Sequence, residues 1–174
     1  MSNRPTIAIS GKSGCGNSTV SRIVSERLGL TLINYTFKSI AIDRGISFEE
    51  VCRLAEQDDS YDRLVDERQV RLAADGECVL GSRLAIWLIE NADYKVYLNA
   101  SLEVRSRRIY EREGGELASV VKETEARDAR DRDRYLRLYE IDIDRFEFAD
   151  LTIDADTPSQ YEIAEQIIEL AGPN

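Results

Sequence analysis

Short apolar runs alternate with segments of helical periodicity along this chain. Residues 6–10 read as a short buried strand, and a glycine-rich turn follows. In the next segment, TVSRIVSERLGL, Val20, Ile23, Val24 and Leu28 recur at helical spacing, and Gly29 supplies a C-terminal stop. Residues 30–33 form a second short strand, and residues 37–43 a short helix that ends at Gly45. Ser47, with Glu50 three positions on, is a capping box that opens a helix through Glu56. Another amphipathic helix is expected over 62–74, with Leu64, Val65, Val70 and Leu72 or Ala73 on its apolar side and Gly76 breaking it. Residues 78–80 and 94–98 read as the third and fourth strands. Ser101 begins an arginine-rich helix that ends near residue 112, Gly114 and Gly115 make a turn, and a long polar helix covers 116–139. Residues 150–153 are a fifth strand, and a closing helix spans 158–170, with Pro158 in its first turn.

Strands that alternate with helices imply a mostly parallel sheet covered on both faces. The predicted architecture is α/β, three layers (α/β/α) around a five-stranded, mostly parallel sheet. A chain of 174 residues holds one domain with a real core and not comfortably two. No repeat, low-complexity tract or linker divides it, so residues 1–174 are expected to form a single domain. The long stretches between strands are helical insertions, which suit flaps over a site.

Charge and composition narrow the function. The net charge of −10 argues against general nucleic-acid binding, because like charges repel. No apolar run approaches the roughly 20 residues that span a bilayer, and the start MSNRPTIAIS has no leader layout. Three cysteines without metal-ligand spacing, and no histidine, argue against a zinc site and favour a reduced, cytoplasmic setting. Nineteen Arg stand against four Lys, and ten of the Arg fall between Arg105 and Arg145. The Arg fork matches pairs of phosphate oxygens.

Between the first strand and the first helix lies GKSGCGNST, residues 11–19. It follows the phosphate-loop pattern G-x-x-x-x-G-K-[ST] in its strand–loop–helix context. Gly11, Lys12, Ser13, Gly14, Cys15, Gly16, Asn17, Ser18 and Thr19 are the candidate phosphate-binding residues. The glycines let successive N–H groups face phosphate oxygens, and the helix N-terminus adds its positive dipole end. Ser18 stands where a hydroxyl would ligate Mg²⁺. Asn17 stands where the pattern has Lys, whose charge normally meets the β- and γ-phosphates. Lys12 is a candidate catalytic replacement for that charge, or else a solvated loop residue.

On the long helix, ARDARDRDRY places Arg127, Arg130 and Arg134 at spacings of three and four, with Asp131 on or beside that face. This pattern suits phosphate binding or a solvated helix laced with ion pairs. Three further segments resemble cytidylate kinases, especially their short form. Arg127, Asp128, Asp131 and Arg134 match that family's R-D-x-x-D-x-x-R. Val79, Leu80, Arg83, Leu84 and Trp87 match its V-L-E-G-R-L-x-x-W. Phe37, Ala41, Arg44, Gly45, Ser47, Glu49 and Glu50 match its F-R-x-x-A-x-E-R-G-x-S-x-E-E. DRLVDERQ and DLTIDAD also resemble family segments, so the likeness runs in order through nearly the whole chain. It departs at Asn17 (Lys), Lys38 (Arg) and Gly81-Ser82 (Glu-Gly), and the NYTF stretch is two residues short.

The resemblance implies the P-loop NTPase fold, with core segments 1–33, 76–107 and 140–174, a monophosphate-binding flap over 34–75 and a lid over 108–130. It implies that Lys38 and Arg83 grip an acceptor phosphate. Arg127, Asp131 and Arg134 would hold CMP and steady the moving phosphoryl group, with Arg127 and Arg134 catalytic. Arg108 or Arg112 would serve ATP from the lid. The expected reaction is Mg²⁺-dependent transfer from ATP to CMP or dCMP by a cytoplasmic monomer, with no nucleic-acid or membrane partner. Two alternatives stand beside it: a weak or inactive nucleotide-binding regulator, and a P-loop kinase acting on another small acceptor. Tyr135, Tyr139 and Trp87 read as core residues.

Overall fold

Ile7, Ala8 and Ile9 are fully buried because the strand that carries them, β1 (Ile7–Gly11), is the central strand of the sheet. The computed structural model describes residues 4–172. Along the chain β1 is followed by α1 (Asn17–Leu28), β2 (Thr31–Ile33), α2 (Phe37–Arg44), α3 (Phe48–Ala55), α4 (Ser60–Ala73) and β3 (Cys78–Gly81). Then come α5 (Ala85–Leu88), β4 (Tyr94–Asn99), α6 (Leu102–Glu113), α7 (Leu117–Tyr139), β5 (Leu151–Asp154) and α8 (Gln160–Ala171). All strand pairs are parallel, in the order β2-β3-β1-β4-β5. The fold is the expected three-layer α/β/α arrangement. Strand and helix ends shift by a residue or two, and the short α5 is an addition to the elements expected from the periodicity.

The pleat divides the core in two. Ile7 and Ile9 face α1 and α8, where they meet Val20, Val24, Ile163 and Ile167. Ala8, Leu80 and Tyr97 face the other way, onto Ala85, Ile86 and Phe146. Tyr97 stacks on Phe146 at 3.8 Å, and Trp87, expected in the core, meets Tyr97 edge-on as a partly buried residue packed against it. The register sets Ile9 beside both Gly81 and Val96. The connection leaving β1 runs toward β2, and the one leaving β3 runs over to β4. A crevice therefore opens between the C-terminal ends of β1 and β3, where open α/β sheets bind ligands. Among the described residues no helix is long and apolar enough to cross a membrane.

Helices α2, α3 and α4 have a small core of their own, built from Ile40, Ala41, Val51 and Tyr61. The face that α4 buries differs from the apolar side expected. Tyr61, Gln69 and Ala73 are buried, whereas Val70 and Leu72 are 38% and 40% exposed. The reason is that α4 has two inward faces. One meets the flap core and the sheet; the other, carrying Asp62 and Asp66, turns toward α7. There Tyr139 donates a 2.6 Å hydrogen bond to Asp66, and Arg137 pairs with Asp59.

Burial raises the Asp66 carboxyl from 3.8 to about 6, against the opposing Tyr139 hydrogen bond. Because the folded value lies above the unfolded one, the folded chain holds this proton longer. Asp66 imposes no penalty below the unfolded value of 3.8, and its penalty reaches full size as the pH passes about 6. That shift corresponds to about 3 kcal/mol at most. Asp66→Asn keeps an acceptor for Tyr139 and removes the charge. Urea unfolding is expected to show the variant about 1–3 kcal/mol more stable at pH 8, with the gain vanishing near pH 4.

Candidate active site

The phosphate loop leaves β1 at Gly11 and re-enters helix at Asn17. Gly16 has φ +94°, a backbone state that side chains disfavour, and it turns the chain into α1. Within the loop, the Cys15 N–H donates to the Lys12 carbonyl at 3.1 Å, and the Val20 N–H donates to the Gly16 carbonyl at 3.1 Å. Ser18 and Thr19 are exposed on the first turn of α1. Cys15 is buried, and burial raises its thiol pKa, so only its backbone is offered to a ligand.

Asn17 is turned away from the loop mouth. Its amide donates to the Ile9 carbonyl at 2.9 Å and to the Ser82 carbonyl at 3.3 Å, while Ser21 donates to its Oδ1 at 2.9 Å. The side chain therefore ties the end of β1 to the end of β3. A Cβ on Gly81 would lie 2.1 Å from Ser21 Oγ and 2.6 Å from Asn17 Oδ1, so the bridge needs glycine there. The departures at 17 and at 81-82 are one packing unit. The Asn17 side chain is thus committed to the strand ends, and its N–H turns to the Cys15 sulfur.

Three arginines reach the loop from α6 and α7. Arg105 is 3% exposed; it donates to the Ser13 carbonyl at 3.0 Å and forks onto Asp128 at 3.1 and 2.6 Å. Arg108 donates to the Cys15 carbonyl at 3.3 Å and to the Ala155 carbonyl at 2.7 Å. It thus clamps the loop from within α6, whereas Arg112 pairs with neighbouring Glu113. Arg127 donates to Ser13 Oγ at 3.3 Å. Arg130 points to exposed Glu123 instead of joining them. Lys12 Nζ sits 2.6 Å from Asp144, whose other oxygen meets Arg132 at 3.2 Å.

Facing the loop is a row of alternating charges. Arg83 Nε lies 3.0 Å from Asp131 Oδ2, Arg134 Nη2 donates to Asp131 Oδ1 at 2.8 Å, and Arg134 Nε is 3.7 Å from Asp62. Asp131 is 6% exposed, and buried Tyr135 packs with Leu84 and Ile143 beneath it. The structure brings Arg83, Arg127, Asp131 and Arg134 to one side of the loop. It does not bring Lys38, which is exposed on the flap with its ammonium over the Phe48 ring. Two recesses border the loop. One of about 230 Å³ lies beside Lys12, Tyr97, Arg105 and Phe146; one of about 10 Å³ is lined by Gly11, Lys12, Arg83, Asp128 and Asp131. Size does not choose between them: the second alone of the two joins the loop glycine to the charge row.

Several members had no assigned role in the sequence. Arg105, Asp128 and Asp144 meet the loop only through tertiary contacts. Asp62 and Asp66, one turn apart in DRLVDERQ, gave the one local signal, a pair of acids on an otherwise amphipathic helix. Asn17→Ala would strand the Ile9 and Ser82 carbonyls at the crevice. Thermal and urea unfolding are expected to show a loss of about 1–3 kcal/mol, and nucleotide affinity to fall with it.

The family model described as "Cytidylate kinase-like family" matches residues 6–157. A "Cytidylate kinase 2" of Borreliella afzelii is 47% identical over 165 residues, covering 92% of this chain and 93% of that protein. A "Cytidylate kinase" of Archaeoglobus fulgidus is 39% identical over 166 residues, covering 94% and 92%. Among solved structures, shikimate kinase from Bacteroides thetaiotaomicron superposes with TM-score 0.64 at 16% identity, covering 95% of this chain and 97% of that one. Deoxyadenosine kinase from M. mycoides gives TM-score 0.56 at 14% identity, covering 97% and 100%. These two share the P-loop kinase fold, and the relatives share the sequence. The chain belongs to the cytidylate kinase-like family, as a phosphotransferase of the nucleoside monophosphate kinase class.

Proposed function

We propose that this protein transfers the γ-phosphoryl group of ATP to the phosphate of CMP or dCMP, yielding the nucleoside diphosphate and ADP. The observation that carries this reading is the Arg83–Asp131–Arg134 row set opposite a phosphate loop. Relatives named cytidylate kinase support the choice of acceptor.

Phosphoryl transfer needs alignment and charge neutralisation more than covalent chemistry. An oxygen of the acceptor phosphate is the nucleophile, so no strong general base is required. Arg83 orients that phosphate, Arg134 holds the rest of CMP, and Arg127, hydrogen-bonded to Ser13 of the loop, steadies the moving group. Lys12 supplies the charge that Asn17 lacks once a phosphate draws it from Asp144. The free, exposed Ser18 hydroxyl fits Mg²⁺, which takes oxygen donors and usually shares them with substrate phosphates. Bound there, Mg²⁺ would supply charge neutralisation to the nucleotide's phosphates.

The alternative of an inactive nucleotide-binding regulator rests on Asn17, whose amide is committed to the strand ends. A coupled assay for ADP, run over the nucleoside monophosphates and shikimate-like alcohols, separates the readings. Stimulation by CMP or dCMP is expected. Nucleotide binding without any acceptor-stimulated ADP would leave the regulator. For Lys12→Ala, kcat is expected to fall by about 10²–10³, with the ATP dissociation constant changing less than about tenfold. Unchanged turnover would remove Lys12 from the mechanism.

A further inference from the structure

We infer that Asp62 reads the base of the acceptor, accepting a hydrogen bond from the exocyclic amine of cytosine and so disfavouring uracil. This rests on the CMP reading above and adds to it a residue that decides specificity.

Asp62 projects from the flap helix α4 into the charge row. Its side chain is only 11% exposed, yet no hydrogen bond reaches it among the described residues, and Arg134 Nε at 3.7 Å is too far to donate one. Burial raises its pKa, with the Arg134 charge opposing, as expected for a carboxylate short of donors. On the other side of the same row, the buried Nε groups of Arg83 and Arg134 have no hydrogen-bond acceptor. Buried polar groups are ordinarily paired. Here two donors and one acceptor meet only ion-pair neighbours, Arg83 Nε with Asp131 and Arg134 Nε with Asp62, without a hydrogen bond, which leaves hydrogen-bonding capacity for a polar ligand.

The order of the row matches the order of a nucleoside monophosphate. Arg83 borders the recess with Gly11 and Lys12, so it marks the phosphate end. Asp131 and Arg134 follow, and Asp62 is last, on the flap. Cytosine presents an amine donor beside the N3 acceptor. Asp62 beside Arg134 Nε offers an acceptor next to a donor, the complementary pair, and Asp or Glu accepting from the cytosine amine is a recurrent contact. Uracil presents a carbonyl and an N–H in those places, so both contacts become mismatched. Discrimination by unpaired polar groups is stronger than discrimination by shape.

Calorimetric titration with CMP and UMP, on the wild-type protein and on Asp62→Asn and Asp66→Asn, tests the inference. Wild type is expected to favour CMP by at least about tenfold. Asp62→Asn should lower the ratio by about tenfold, because a carboxamide can turn its NH₂ to the uracil carbonyl, while the mismatch of Arg134 Nε with uracil N3–H remains. Asp66→Asn, one turn away, should keep the wild-type ratio. CMP methylated twice on N4 probes the same contact on the unaltered chain, and at least tenfold weaker binding than CMP is expected. The inference is overturned if Asp62→Asn keeps the ratio, if both variants lose it equally, or if the dimethylated nucleotide binds like CMP. It also falls if wild type binds CMP and UMP alike, which leaves the monophosphate kinase reading standing. Wild type binding neither nucleotide ends that reading as well.

Discussion

A loop that receives phosphate must leave its N–H groups unpaired and still satisfy its carbonyls, and the rest of this site depends on how that is done. Backbone bonds take the Lys12 and Gly16 carbonyls. Arginines take the Ser13 and Cys15 carbonyls from outside the loop. With those oxygens drawn outward, loop N–H groups other than those of Cys15 and Asn17 are left for an anion, as in other anion-binding backbone concavities. The arginines meet the loop itself through neutral carbonyl oxygens, while Arg105 keeps its carboxylate partner, Asp128, outside the loop.

Those arginines also connect the loop to distant parts of the chain. Arg105 forks onto Asp128 of α7, and Arg108 spans to the Ala155 carbonyl just past β5. Removing one partner of a buried ion pair such as Arg105–Asp128 leaves a charge uncompensated, which is far more costly than losing an exposed pair. Asn17 does the corresponding work below the loop, where it joins β1 to β3 through Ile9 and Ser82. Gly81 is the condition for that bridge, since any side chain there would overlap Ser21 and Asn17. An amide at 17 and a Gly-Ser pair after β3 form a coherent structural solution, whatever the loop has given up in charge.

Much of the fold was legible because its signals are local. The strand TIAIS, the glycines of the loop and the capping boxes each specify a conformation within a few residues. The four-residue α5 was missed because it is too short to show a period. On α4 the apolar pattern pointed to Val70 and Leu72, but that helix is held on two sides, and its acidic stripe is buried against α7. For the site, the arginines of α7 were legible through their spacing. Their partners were not: Lys12 with Asp144 and Arg105 with Asp128 are matched only after the chain folds. Lys38, matched through the flap motif, lies on the flap with its ammonium over Phe48, apart from the row of α7.

The pairing of these charges bears on the kind of acceptor. Lys12 lies against Asp144, while Arg83 and Arg134 share Asp131. A ligand that uses these cations must compete with the carboxylates already there. A neutral hydroxyl cannot, because a charge-assisted bond to a carboxylate is roughly twice as strong as a neutral one. A phosphate can, since it brings more charge and a geometry that the guanidinium fork matches in pairs. The superposition on shikimate kinases therefore carries little weight for the acceptor; at 16% identity it concerns the fold. In a chain of net charge −10, attraction of a nucleotide must come from local arrangement and not from the overall field. The row of arginines held ready by Asp131 provides such an arrangement, and an acceptor that already carries phosphate is the one it favours.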